Sequence, residues 1–375
     1  MQYKSAIVIG AGIVGLALAR ALARMGFNVT VMERGQRALG ASVRNFGMVW
    51  PVGQPRGPLY ERAMRSREIW KEICTEANIW FEEAGSLHLA YNKEECDVVE
   101  EFYEQEKDTR PVRLLSPDAV HQHSPAVNPD QLQAGLYCRD EMIVDPRQAI
   151  AGIPAFLQER YRVRFLFGKA VSSIEGHAVS SSVDDLLEAD LIFVCSGADF
   201  ETLYPSLFDS IPVTRCKLQM MRLENQPDQW RIGPSLCGGL SLIHYKSFGT
   251  VPSCEKLKAL YQASMPEYLK WGIHVMVSQN GMGELTVGDS HEYGMAPDPF
   301  DRDFINQMVL DYLKTFARFR SNRVKETWNG VYPVMTNGAT ELILRPSPNT
   351  YIINGLGGAG MTLSFGLAEE ICNSL

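Results

Sequence analysis

Residues 6–33, AIVIGAGIVGLALARALARMGFNVTVME, constrain the fold of this chain more than any other stretch. A short apolar run ends at Gly10, an amphipathic segment follows to Gly26, and a second β-rich run ends at Glu33. The order strand, helix, strand predicts a βαβ unit. Its first strand is apolar without alternation, which suits a parallel sheet covered on both faces, and so a doubly wound α/β domain. Gly10, Gly12 and Gly15 fall at the G-x-G-x-x-G spacing between strand and helix. The first permits a tight turn, the second lets backbone approach a diphosphate, and the third lets helix pack on strand. The anion would rest on the helix N-terminus, where unpaired N–H groups and a partial positive charge attract it. Glu33 stands 18 residues after Gly15 and can accept both ribose hydroxyls. A carboxylate there repels a 2′-phosphate, which disfavours a phosphorylated nicotinamide cofactor but does not separate FAD from NAD.

Three further stretches bear on that choice. GASVRNFGMVWPVG (residues 40–53) is small and polar enough to wrap a long cofactor rather than turn back into a third strand. FVCSGA (193–198) reads as a buried strand ending in Ser196 and Gly197, a second close approach of backbone to ligand. GLGGAGMTLSFGLAEE (355–370) is a glycine-rich loop running into a helix, whose N-terminus adds another partial positive charge. Together they predict one cofactor spanning both ends of the chain.

At 375 residues the chain exceeds what one core usually serves, so two domains are expected. The dinucleotide-binding domain is read as discontinuous, over 1–80, 145–210 and 324–375. A substrate domain over 81–144 and 211–323 alternates polar and apolar residues, as in CKLQMMRL, HVMVSQN and GELTVGD, and is expected to be mainly antiparallel. The helix near RDFINQMVLDYLKTFARF is expected to lead back to the first domain. A net charge of −8 without a basic block disfavours nucleic acid. No apolar run reaches the ~20 residues of a membrane span, the start lacks a signal-peptide n-region, and a cytoplasmic protein is expected. Eight cysteines without a CxxC pair suggest buried free thiols, with neither a disulfide framework nor a metal site.

With these residues the chain resembles the superfamily of FAD-dependent D-amino acid oxidases, glycine oxidases and sarcosine oxidases. GAGIVG with Glu33, ASVRNFGM, VDPRQ, AVSSIE, VCSGA, GELTVGDSHEYG and WNGVYP…INGLGGAGMT occur in the family's order over most of the length. It looks closest to a bacterial branch often associated with phosphonate catabolism. The resemblance implies a glutathione-reductase-type, Rossmann-like FAD domain, with a substrate cavity over the flavin roofed by a sheet of the second domain. It implies removal of a hydride from an amine carbon, an imine that hydrolyses, and reoxidation by dioxygen to hydrogen peroxide. A homo-oligomer is compatible with it. Residues matching positions that contact FAD are Ile13, Val14, Glu33, Arg34, Ala41, Ser42, Arg44, Asn45, Phe46, Gly47 and Met48. Val171 matches the backbone pair to the adenine, and Gly355, Leu356, Gly357, Gly358, Ala359, Gly360 and Met361 match the loop whose amides face the flavin pyrimidine edge.

Two departures limit the transfer of activity. Val334, Met335 and Thr336 replace the region where sarcosine oxidases carry a flavin-linking cysteine, so FAD is expected to be non-covalent. Thr286 stands where those enzymes place an oxygen-activating lysine, which leaves open a dehydrogenase with another electron acceptor. Tyr332 in WNGVYP occupies a position that often carries a carboxylate-gripping arginine, and one phenol cannot replace a bidentate guanidinium. Arg44 is the best remaining cation for a substrate anion, though it could equally bind FAD phosphate or a surface acid. Met48, His244, Tyr245 and Tyr332 are candidate substrate contacts. His291 and Tyr332 are candidate catalytic groups, His291 because an imidazole can tune an amine's protonation near neutrality. The histidine candidates are placed on substrate-domain strands, and Lys217 could face the cavity but is read in preference as a solvated edge-strand lysine. Two rivals remain at this level: an NAD-dependent dehydrogenase, which leaves the 355–361 loop unexplained, and a flavin-fold protein that only binds a partner, as Rab escort-type proteins do.

Overall fold

The computed structural model describes residues 4–182 and 186–375. Ser5–Ile9 lies inside a six-stranded sheet, flanked by Asn28–Glu33 and Arg164–Phe167 on one side and by Leu191–Val194, Thr350–Asn354 and Leu342–Ser347 on the other. All pairings are parallel except the edge hairpin of Leu342–Ser347 with Thr350–Asn354. The helix Ile13–Arg24 packs on the C-terminal helix Gly360–Asn373, and that helix on Pro58–Glu76. Trp70 meets Phe365 edge-on with ring centroids 5.0 Å apart, and its indole N–H donates to the Met361 carbonyl at 2.7 Å. The two ends of the chain therefore meet in one core, as a cofactor bound by both requires.

The second sheet has nine strands and is antiparallel except where Ser235–Cys237 runs alongside Ser86–Ala90. Its long strand Val213–Leu223 pairs with Val324–Met335 along nearly its whole length, setting Cys216 opposite Tyr332. Residues 324–335, expected with the dinucleotide-binding segments, thus join the other sheet; of the 324–375 segment only Leu342–Ser347 and Thr350–Asn354 lie in the six-stranded sheet. The helix Asp303–Phe316 likewise packs on the second sheet rather than leading back to the first. Loop 40–53 holds two single-turn 3-10 helices, Ala41–Val43 and Pro51–Gly53, and between them the two-residue strand Met48–Val49, in a separate small sheet with Met142–Val144 and Phe81–Glu82.

Lys217 is a correction. It is 1% exposed, pairs with Asp301 at 3.3 Å and donates to the Phe300 carbonyl. Its strand has neighbours on both sides, so no edge exists for it to reach solvent from. All eight cysteines are free, seven of them buried.

Candidate active site

The first cleft forms where the six-stranded sheet opens at its C-terminal edge, with a volume of about 620 Å³. It is lined by Gly10, Gly12, Ile13, Val14 and Gly15 together with Glu33, Arg34, Val171, Ser196 and Gly197. The glycines are required by contact. A Cβ at Gly15 would lie 1.9 Å from the Gly10 carbonyl oxygen, and one at Gly10 would lie 2.4 Å from that of Cys195. Glu33 accepts the N–H of Ala11 at 3.0 Å and of Gly35 at 2.9 Å, which holds its carboxylate across the glycine turn. The Ile13 N–H is taken by Ser42 Oγ at 2.9 Å, while the first-turn N–H groups of Val14 and Gly15 have no intrahelical acceptor. Arg34 pairs with Asp199 at 2.8 Å. Asn354 donates to the Gly197 carbonyl at 3.0 Å and so ties the 193–198 and 350–354 strand ends together.

A second cavity, about 540 Å³, lies under the nine-stranded sheet. Ile13, Ala41, Ser42, Arg44, Tyr332, Gly355, Leu356, Gly357 and Gly360 border both spaces. Asn45 holds the 40–48 loop in shape: its amide donates to the Ala41 and Ser42 carbonyls at 3.0 Å and its oxygen accepts the Gly47 N–H at 2.8 Å. Phe46 and Met48 follow it into the wall, and Gly358, Ala359 and Met361 complete the floor. Arg44 is paired with no acid: its Nε donates to the Leu39 carbonyl at 2.9 Å and Nη1 to that of Asn329 at 3.0 Å. Tyr332, 8% exposed, stands between the two spaces, and burial raises its phenol well above the ordinary range.

The roof carries a cluster of imidazoles. His244 ends the short helix Leu240–His244, a correction to its expected place on a strand, and its ring opens into the cavity. His274 and His291 lie beyond the strand segments proper, in a region where the Asp289 and His274 backbones pair. His244 and His274 stack with centroids 3.7 Å apart and planes at 24°, and His274 and His291 stack at 5.1 Å and 17°. Ring nitrogens of the three come within 4.8 Å of one another. Lone pairs of face-stacked imidazoles point side by side instead of at a common point, so this geometry does not make the tetrahedral convergence that a metal requires. His291 Nδ1–H donates to the Gly272 carbonyl at 2.9 Å, which leaves Nε2 as its acceptor. His244 is exposed on its cavity side, yet desolvation by the protein packed around it, and then the neighbouring His291, hold it well below its usual value; for the buried His274, desolvation, His244 and His291 act in the same direction. Asp289 lines the same cavity, 5% exposed, with Oδ1 3.1 Å from His274 Nε2 and Oδ2 3.9 Å from His291 Nε2.

The sequence model of a family described as FAD dependent oxidoreductases (DAO) matches residues 5–374. The chain belongs to that family. The oxidoreductase is 25% identical over 246 residues to the tRNA 5-methylaminomethyl-2-thiouridine biosynthesis bifunctional protein MnmC of Saccharophagus degradans, covering 63% of this chain and 34% of that protein. It thus spans about a third of the length of that relative. Glycine oxidase from Bacillus cereus superposes with a TM-score of 0.77 at 16% identity, covering 100% of this chain and 94% of that one. L-proline dehydrogenase from P. horikoshii gives 0.76 at 20%, covering 99% and 92%. These likenesses place the fold, a Rossmann-like α/β domain joined to a largely antiparallel sheet.

FAD is the cofactor of this family, and the residues present fit it. The glycine cradle leaves no room for a Cβ, Glu33 sits at the strand end, and the 355–361 loop runs into a helix that begins at Gly360. Of the site residues named from the sequence, all but Gly47 border one or other space, while His274 and Asp289 were passed over. Asp289 lay inside GDSHEYG, beside the favoured His291. His274 had as its only signal a histidine opening the HVMVSQN run, and the pairing that carries it to Asp289 is a tertiary fact. Thr286 borders neither space: it is 3% exposed and lies 3.4 Å from Arg222 Nη2.

Proposed function

We propose that this oxidoreductase acts on a small primary or secondary amine, oxidising its CH–NH unit to an imine that hydrolyses. Amino acids, N-substituted glycines and aminophosphonates are the substrate classes, and dioxygen is the acceptor, reduced to hydrogen peroxide. The observation that carries this reading is that the imidazole-roofed cavity and the dinucleotide cleft share Arg44, Tyr332 and the 355–360 loop. A molecule in one space would therefore lie against residues that also hold what fills the other. Bound FAD, held non-covalently by Gly10–Gly15, Glu33, Ser42, Val171 and Gly355–Met361, would supply the hydride acceptor. The 360–373 helix N-terminus would stabilise negative charge on the flavin without reorganising. Arg44 and Lys246 are the cations at the cavity wall for a substrate anion, Met48 and Tyr245 bound its apolar part, and His291 tunes the amine's protonation from the cavity wall. The names of the relatives, which speak of glycine, proline and a methylaminomethyl group, support an amine.

The purified protein is expected to show flavin bands and to bleach under anaerobiosis on addition of an amine from these classes. A protein that cannot be reconstituted with FAD, or that no amine bleaches, would end this reading. A second reading, a dehydrogenase, is favoured by Thr286 at the position of the oxygen-activating lysine. Rapid recovery of the flavin in air with peroxide formed one-to-one supports the oxidase; slow recovery supports the dehydrogenase. Tyr332→Arg is expected to raise activity toward glycine-like substrates at some loss of stability, since a buried guanidinium needs a partner. No gain in their kcat/KM would mean that a carboxylate is not read at this position.

A further inference from the structure

Asp289 is the only carboxylate lining the roofed cavity among the described residues. It is almost fully buried, and its Oδ1 has no aligned hydrogen-bond donor even though His274 Nε2 is 3.1 Å away. His274 is buried as well, with Nδ1 unpartnered. A buried carboxylate left short of partners is expensive and is relieved either by a proton or by a cation. Around it stand His274 and His291 from the same sheet edge, His244 and Tyr245 from the 240–244 helix and the residue after it, Cys216 and Tyr332 from the paired long strands, and Tyr293. None of these is a fixed cation. The two permanent cations at the cavity wall are engaged by carbonyls, Arg44 as above and Lys246 on Gly338 at 3.0 Å. An amine substrate arrives mainly as an ammonium ion, which must become neutral before its carbon can give up a hydride.

We propose that Asp289 receives the substrate's ammonium group and takes its proton. This rests on the amine reading above. One N–H bond of the ammonium breaks with its electron pair left on nitrogen, and one O–H bond forms on the carboxylate; nothing is oxidised or reduced. The proton stays on Asp289 while the neutral amine reacts and is lost to water when product leaves. Burial pushes the Asp289 carboxyl up to about 6, with His291 opposing, which brings its proton affinity toward that needed to hold such a proton near neutrality.

The test uses the FAD-loaded protein, with methylammonium chloride and sodium acetate as probes read by perturbation of the flavin spectrum. Asp289→Asn is expected to weaken methylammonium at least about tenfold and to leave acetate unweakened, as removal of one charge-assisted contact implies. Unchanged methylammonium affinity, or no binding by the parent at about 0.1 M, the weak end for so small a ligand, overturns the proposal. Should Asp289→Asn fail to hold FAD, the parent is titrated from about pH 8 to pH 5, across the ordinary histidine range. Methylammonium stays charged throughout, so its binding should weaken as pH falls through the Asp289 range while acetate strengthens. The titration is repeated in His291→Gln, which leaves Asp289 without that imidazole beside it, and a flat methylammonium profile there overturns the proposal. A protein that binds methylammonium through Asp289 yet is bleached by no amine would instead sink the functional reading and leave the site standing.

Discussion

At Glu141 burial pushes the carboxyl up to about 7, even though Val52 N–H and Ser86 Oγ donate to it at 2.9 and 3.3 Å. The folded value lies above the ordinary ~4.3, so across that window the folded state keeps a proton that the unfolded chain has lost. Stability therefore falls as pH rises from about 4.3 to 7. Glu141→Gln cannot titrate, and it should gain on the parent by about 2–3 kcal/mol between roughly pH 5 and pH 8, read from denaturant midpoints at the two pH values. An equal difference at both would show that the group does not titrate there. For His291 the Gly272 carbonyl fixes the tautomer. His291→Ala should lower kcat by about 10²-fold, the lower range for a lost proton-transfer group, with FAD content kept. Unchanged kinetics would remove His291 from the chemistry.

Between strand and helix the glycine turn works by proximity. The Gly15 position admits no side chain because the Gly10 carbonyl is 1.9 Å from where a Cβ would stand, and Gly47, at φ +76°, meets the Val144 carbonyl in the same way. In Gly15→Ala the helix Ile13–Arg24 must lift from its strand, withdrawing the Val14 and Gly15 N–H groups from the cleft. A loss of about 1–3 kcal/mol, typical of overpacking, together with loss of FAD on gel filtration is expected. A variant that keeps both cofactor and midpoint would show that helix and strand can separate freely. The element reading of the sequence succeeded here because each part of a βαβ unit is local: apolar run, glycines, amphipathic run. It failed for Val324–Met335 because a strand's partner is not written in its own residues. WNGVYP reads equally well beside either sheet, and only pairing with Val213–Leu223 settles which.

On the scale of the whole molecule, the N-terminal turn, loop 40–48, strand Val171–Glu175 and the C-terminal loop border connected spaces. A ligand touching all of them should act as a clamp on the fold. Free FAD at about 100 times its Kd should add about 2.7 kcal/mol by mass action. Stripping FAD should therefore lower the thermal midpoint, and adding it back should restore the midpoint in proportion to the logarithm of its concentration. A midpoint indifferent to FAD would mean that the cofactor binds folded and unfolded chains alike.

The division between chain and fold follows from range. Cofactor binding was readable from residues alone, since a diphosphate turn needs glycines and a carboxylate at fixed offsets within one βαβ unit, and those offsets survive in a string. The roof of the second cavity was not. His244, His274, Asp289 and His291 come from a helix end and from a backbone pairing next to two strands, so their assembly depends on sheet register and on packing across the nine-stranded sheet. For His274 and Asp289 burial then sets the direction in which protonation shifts, and burial is a property of the packed molecule. The same holds for Tyr332: its letter was visible in WNGVYP, but its position between the two spaces exists only once Cys216 lies opposite it.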